Sequence, residues 1–270
     1  MEFRSVFISD VHLGSRACNA GFLGEFLSGV SAENLFIVGD LIDLERLARR
    51  WHWPPLHSEV LEKLLCLVRR GTKVYYVPGN HDSLVRQVAG TNFGGVRIVA
   101  NHIHCLADGR RLLITHGDEF DAVVRQRRLL GMLGSLIYGR LVALNYWLNA
   151  VRRLLGLEYW SLANYVKRHN PQVSIMANSF KQALCQYARN RGCDGVVAGH
   201  IHTAEISGHQ GILYCNPGDW VESCTTIVED YGGNLQLITW PERARAGRHR
   251  LVAEAYGGIG EGRGTVAAVG

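Results

Sequence analysis

The sequence predicts a layered α/β fold, on three observations. Short β-rich runs recur along the chain, strand-like and helix-like stretches alternate in its first half, and closely spaced β runs follow Gly195. Strand–helix–strand alternation favours parallel pairing, whereas closely spaced runs favour hairpins. A mixed sheet or a pair of sheets is therefore expected rather than a purely doubly wound sheet.

Taken in order, residues 5–8, 35–38 and 73–77 read as the first three strands, each rich in Val, Ile, Phe or Tyr. Between the second and third, residues 56–69 place Leu61, Leu64, Leu65 and Val68 on one stripe of a helix, which is a core-facing stripe. Residues 97–99 and 111–115 are further strands. From 121 to 190 the texture changes to Leu-rich, Arg-flanked helical pattern, broken near Asn170-Pro171, and reads as a helical insertion. Strands return at 195–198, 212–215, 225–228 and 235–239. The tail 243–270 holds mostly Gly, Ala and Arg, too little apolar surface to offset its own ordering entropy. The expected organisation is one domain over 1–242, carrying the insertion, and a loose tail.

Composition bounds the function classes. With 270 residues, 47% of them hydrophobic and 20% charged, the chain can bury a large core, which excludes bulk disorder. A formal charge of +5 is too mild to argue for nucleic acid, and none is expected as a partner. The arginines do cluster, between Arg125 and Arg153 and between Arg243 and Arg250, where an anionic partner would meet them first. Seven cysteines with no C-x-x-C pair read as reduced core thiols of a cytosolic protein. The start shows no basic n-region followed by an apolar run, and the most apolar window, 129–148, is interrupted by Arg140 and Asn145, which argues against a spanning helix but leaves a membrane surface open.

Five clusters carry the chemistry. They are Asp10-Val11-His12, Gly39-Asp40-Leu41-Ile42-Asp43, Gly79-Asn80-His81-Asp82, His116-Gly117-Asp118 and Gly199-His200-Ile201-His202, each directly after a predicted strand. Strand C-termini are where α/β sheets place their sites, so the side chains should converge. Asp10, His12, Asp40, Asn80, His116, His200 and His202 form a mixed oxygen and nitrogen set suited to Mn²⁺, Fe²⁺ or Zn²⁺. Seven ligands exceed one tetrahedral site. They fit two ions about 3.5–4 Å apart that share a carboxylate, the arrangement used for in-line displacement at phosphorus. Gly39, Gly79, Gly117 and Gly199 are expected to let the backbone turn sharply from strand into loop.

These blocks, in this order, resemble the calcineurin-like metallophosphoesterase superfamily over residues 7–228. The resemblance implies a two-sheet β-sandwich flanked by helices, here with an α-helical cap insertion. It also implies one metal on Asp10, His12, Asp40 and His202 and another on Asp40, Asn80, His116 and His200. His81 stands at the family's position for protonating the leaving oxygen; Asp82 either orients it or caps a helix starting near Ser83. All seven ligand positions are filled, unlike a non-catalytic scaffold of this fold.

The block from His116 to Asp121, the Leu- and Arg-rich insertion and the stretch from Cys215 to Ser223 are similar to the branch containing UDP-2,3-diacylglucosamine diphosphatases of lipid A biosynthesis. That resemblance implies a Mn²⁺-dependent enzyme, cytoplasmic and peripheral on the inner membrane, that yields UMP and a lipid monophosphate. In the best characterised group of the branch an Arg stands where this chain has His81, so the chain looks like a second, histidine-bearing subgroup. The apolar positions between Leu129 and Leu148 would enclose acyl chains, and Arg125 and Arg128 among the arginines would face the diphosphate or anionic headgroups. Asp118 and Asp121 would hold His116 or shape the substrate entrance, or else cap the next helix. The alternative is a phosphodiesterase or phosphatase acting on a soluble nucleotide or phosphoprotein, which needs the metal site but not the apolar cap.

Overall fold

Alternation along each strand dictates how the layers stack. In strand β1 (Glu2–Ile8), Val6 and Ile8 point to one side and Phe7 to the other, so both faces of this strand must be covered. A computed structural model describes residues 1–120, 151–152, 155 and 171–240, and it covers them with helices on one side and a second sheet on the other.

The remaining elements are α1 (Ala20–Gly29), β2 (Ser31–Val38), α2 (Leu44–Arg49), α3 (Pro55–Arg69), β3 (Lys73–Val77), a 3₁₀ helix (Ser83–Val88), β4 (Asn92–Phe93), β5 (Val96–Ile98), β6 (His102–Cys105) and β7 (Arg111–Ile114). A second 3₁₀ helix (Asp118–Phe120), α4 (Pro171–Asn190), β8 (Gly195–Val197), β9 (Glu205–His209), β10 (Ile212–Asn216), β11 (Thr225–Glu229) and β12 (Leu235–Thr239) follow. A seven-stranded sheet has the order β12-β11-β1-β2-β3-β5-β4, and a five-stranded sheet the order β6-β7-β8-β10-β9. β1, β2, β3 and β5 run parallel, as do β7, β8 and β10, while β9–β10 and β11–β12 are the antiparallel hairpins that the close spacing after Gly195 predicts.

Between the sheets, Phe7, Phe36 and Tyr75 lie opposite one another in register on β1, β2 and β3. Their rings stack at 5.0 and 4.9 Å, with Val77, Ile114, Val197 and Ile227 around them. α1 and α3 cover the outer face of the larger sheet. The stripe of α3 buries His57, Val60, Leu64 and Leu67, one position round from the expected one, and Leu65 is exposed. Four cysteines, Cys185, Cys193, Cys215 and Cys224, are buried, whereas Cys66 and Cys105 are exposed rather than core thiols.

Phe180, Leu184, Cys185 and Ala188 of α4 pack on the outer face of the smaller sheet against Val196 and Tyr214. These residues fall within the segment the sequence assigns to the insertion, yet they build the fourth layer of the sandwich. The other residues of that segment, 121–150, 153–154 and 156–170, and with them Asp121, Arg125, Arg128 and the acyl-facing positions, lie outside the described residues, as does the tail from 241. Among the described residues, no helix is long and apolar enough to cross a membrane.

Inside the sandwich, midway along β1, sits a polar cluster. Buried Glu229 accepts through Oε1 from the Arg4 guanidinium and from Ala107 N (2.8 Å), and through Oε2 contacts His104 Nε2 at 2.9 Å. Ser5 Oγ lies 3.0 Å from the same Nε2.

Candidate metal centre

Parallel strands point their C-terminal ends the same way. β1, β2 and β3 of one sheet and β7 and β8 of the other therefore deliver their following loops to one edge of the sandwich. Hydrogen bonds fix the meeting: between the sheets, His200 N donates to Asp10 Oδ2 (3.0 Å) and His116 Nδ1 lies 2.9 Å from Val38 O, and within the smaller sheet Gly199 N donates to His116 O (3.1 Å). Within the larger sheet Asp10 N donates to Gly39 O and His12 N to Asp40 O.

The side chains converge accordingly. His202 Nε2 lies 3.2 Å from Asp10 Oδ1 and 3.3 Å from His12 Nε2. Asp40 Oδ2 stands between His116 Nε2 (3.4 Å) and His12 Nε2 (3.8 Å), while its Oδ1 accepts from His81 N (2.9 Å). The His200 ring packs edge-on to His116, with centroids 5.3 Å apart. Two groups, Asp10–His12–His202 and Asp10–Asp40–His116, each bring three ligand atoms within 4.8 Å of one another and are built wholly from the predicted set.

Two features mark this edge as built for cations. Asp10 Oδ1, Asn80 Oδ1 and His116 Nε2 are buried yet make no hydrogen bond of acceptable geometry, an arrangement that costs stability unless something fills the space between them. In addition, Asp10, His12, Asp40, His200 and His202 all hold the left-handed backbone conformation, with φ between 51° and 68°. Non-glycine residues adopt it rarely, and such strain gathers where function demands it. The donor set therefore fits divalent cations.

Electrostatics agree. Burial opposes charge on Asp10, but His202 and His116 outweigh it and hold the carboxyl down at about 2. Burial likewise opposes protonation of His116, but Asp40 and Asp10 raise its imidazole to about 10. A proton and a divalent cation thus compete for the same buried nitrogen.

Only Gly39 and Gly117, at φ of 83° and 107°, bear out the expected sharp turns. Gly79 and Gly199 have ordinary φ and are small for a different reason: a Cβ at Gly79 would overlap Asp40 Oδ1, and one at Gly199 would overlap Asp10 Oδ2.

Asp82 serves neither of its expected roles. It makes no side-chain cap to the 3₁₀ helix. Instead it accepts from Leu41 N (2.7 Å), Gly79 N (2.5 Å) and the Tyr76 hydroxyl, lacing the β2 and β3 loops together beneath the site. Asp43 is the carboxylate that reaches His81, 3.1 Å from Nδ1, and it also lies 3.7 Å from His12 Nδ1. That hydrogen bond raises the His81 pKa above its ordinary value, against the effect of burial. Asp118 does not hold His116. It pairs with Arg86 at 2.5 Å, and Arg86 also donates to Pro78 O, bracing the turn before Asn80.

Asp43 and Tyr76 are the contributors that sequence reasoning missed. Asp219, which the sequence reads with Trp220 as closing the edge of the site, does lie there: its Oδ2 sits 3.7 Å from His202 Nδ1 while its Oδ1 accepts from three successive backbone amides, Val221 to Ser223, and Trp220 is buried in the core. The second carboxylate of Gly39-Asp40-Leu41-Ile42-Asp43 was an available signal for Asp43. Tyr76 carries none that spacing could reveal.

A family model described as calcineurin-like phosphoesterase matches residues 3–204. The chain is similar to UDP-2,3-diacylglucosamine hydrolase of Aeromonas salmonicida (strain A449), with 28% identity over 262 residues, 91% of this chain and 97% of that one. It is also similar to UDP-2,3-diacylglucosamine hydrolase of Blochmanniella pennsylvanica (strain BPEN), with 34% identity over 121 residues, 42% of this chain and 46% of that one. Among solved structures it is similar to one described as a novel archaeal phosphodiesterase, with a TM-score of 0.42 and 16% identity, covering 87% of this chain and 98% of that chain.

Proposed function

The chain belongs to the calcineurin-like phosphoesterase family and is a phosphoester hydrolase, and from that premise we propose that it hydrolyses the diphosphate of UDP-2,3-diacylglucosamine, or of a closely related nucleotide-linked lipid. Water adds to the α-phosphorus, the bond from that phosphorus to the bridging oxygen breaks, and UMP and the lipid monophosphate leave. Support for the substrate comes from the names of the relatives, one of which matches 91% of this chain at 28% identity.

Asp10, His12, Asp40 and His202 would hold one divalent ion, and Asp40, Asn80, His116 and His200 a second; Mn²⁺ would suit this mixed donor set. When bound, such a pair polarises the phosphoryl oxygens and acidifies the attacking water. The chain's own groups do the rest. His81, anchored through Nδ1–H by Asp43, delivers the Nε2 proton of its imidazolium form to the departing oxygen, and Asp43 favours that charged form. Asp219 plays the orienting part for His202. In this reading Arg125 and Arg128 of the insertion serve the diphosphate or anionic headgroups, Asp121 serves the substrate entrance, and the protein works at the cytoplasmic surface of the inner membrane.

The observation that carries this reading is the convergence of five strand-end loops on buried Asp, Asn and His groups, three of whose ligand atoms, Asp10 Oδ1, Asn80 Oδ1 and His116 Nε2, make no hydrogen bond. The test is UMP release from UDP-2,3-diacylglucosamine by Mn²⁺-loaded protein, with a chromogenic phosphodiester in parallel. Rapid UMP release that vanishes in Asp40→Ala is the expected result; turnover of the chromogenic compound alone would overturn the lipid assignment and keep the chemistry. His81 is the one residue that favours a soluble phosphoester instead, because an imidazole can protonate a poorer leaving group than a diphosphate presents.

A further inference from the structure

Two short helices leave the metal centre from a single junction. Leu44 N, in the first turn of α2, donates to His81 O (3.1 Å), and the 3₁₀ helix Ser83–Val88 begins two residues after His81. At a rise of about 1.5 Å per residue, α2 carries the chain roughly 10 Å from Asp43 to Arg50.

What these helices present to solvent is unusual for a folded surface. Trp51, just beyond α2, is 75% exposed, the 3₁₀ helix exposes Leu84 at 65% and Val88 at 46%, and Arg49 and Arg50 are exposed beside the indole. Trp51 is held out rather than loose. Its neighbour Trp53 is pinned by Nε1 donating to Ser58 Oγ (3.0 Å) at the start of α3 and packs perpendicular to His57, while the Trp51 ring leans on Trp53 at 6.3 Å.

An indole flanked by two guanidinium groups matches a lipid headgroup layer, where the ring sits among glycerol and acyl carbons and the cations meet phosphates. Five side chains on two short segments cover far less than the roughly 800 Å² per partner of a stable protein interface. From exposure, charge and closeness to the site, we infer that Arg49, Arg50, Trp51, Leu84 and Val88 form the surface by which this protein docks on an anionic bilayer, setting the metal centre beside the headgroups of its substrate. The inference rests on the lipid reading above, and it places the contact on a part of the chain distinct from the Leu-rich insertion.

Flotation with vesicles of phosphatidylcholine, alone or mixed with phosphatidylglycerol, tests it. The wild type should bind the mixed vesicles and lose affinity with added salt. Arg49→Gln/Arg50→Gln should bind about 30-fold more weakly, at about 1 kcal/mol for each cation at the surface. Brominated lipid should quench wild-type fluorescence and quench Trp51→Phe less. These variants should turn over a chromogenic phosphodiester in solution as the wild type does. A wild type that binds neither vesicle, variants that bind as tightly as the wild type, or self-association in lipid-free buffer that Trp51→Phe abolishes would each overturn the docking surface. Vesicle binding through Trp51 without UMP release would instead overturn the substrate reading and leave the surface standing.

Discussion

Two buried clusters of charge lie along the line of β1, one midway at Ser5 and one just past its C-terminal end at Asp10, and they are built on opposite principles. At Glu229 both carboxylate oxygens have donors and the His104 ring has partners. At Asp10 and Asp40 the carboxylates crowd imidazoles, several ligand atoms meet no hydrogen-bond partner, and the backbone is left-handed. Burial and charge are common to both, so neither identifies a functional site. Satisfaction does: the first cluster is closed around itself, and the second is complete only when something else enters.

The largest effect expected from this contrast is on turnover. Asp40→Asn should lower it by at least about 10³-fold, the scale of losing transition-state charge stabilisation. A rate assay on the metal-loaded variant checks this, and turnover near the wild-type value would break the contrast. Glu229→Ala should do the reverse, costing about 3 kcal/mol in urea denaturation by stranding Arg4 and His104, with the rate per folded, metal-loaded molecule unchanged. Asp43→Asn should fall between, lowering kcat about 10- to 100-fold while metal stoichiometry, read by elemental analysis, stays at the wild-type value.

The smallest effect is a pH dependence. Burial works against the charge on Glu229, but hydrogen bonds from His104, Ser5, Ala107 and Arg4 hold its carboxyl below the ordinary 4.5. The unfolded chain therefore binds the proton first. The contribution to stability is complete above about 4.5 and is lost as pH falls through the lower folded value. Chelated wild type should lose stability more steeply below that pH than Glu229→Gln, and equal slopes would mean the cluster is not the closed network described.

Much of this was legible in the sequence because strand ends announce themselves: residues 73–77 and 235–239 are strands as expected, and all five loops fall where predicted. The strands that pattern did not reveal are β4, β6 and β9. Asn92–Phe93 is only two residues long, His102–Cys105 interleaves histidines with apolar residues, and Glu205–His209 is a half-exposed edge interrupted by Ser207 and Gly208. None offers the apolar run by which a buried strand is recognised. At the site, ligands were legible because recurrence after successive strands is a sequence property. The partners Asp43 and Tyr76 were not, and Asp219 was legible as an edge of the site but not as the partner of His202, because which carboxylate faces which ring depends on how loops cross. The correction to Asp82 has that same origin.

The left-handed backbone at five of the seven proposed ligand positions has a consequence for anyone breeding this protein for robustness. Glycine relaxes such a backbone and aspartate or histidine strains it, so a library screened for heat tolerance alone would enrich Gly at positions 10, 12, 40, 200 and 202. The winners of that screen would be sturdier and inert. Durability and chemistry are antagonists at these five sites, and a breeder must select for both at every round.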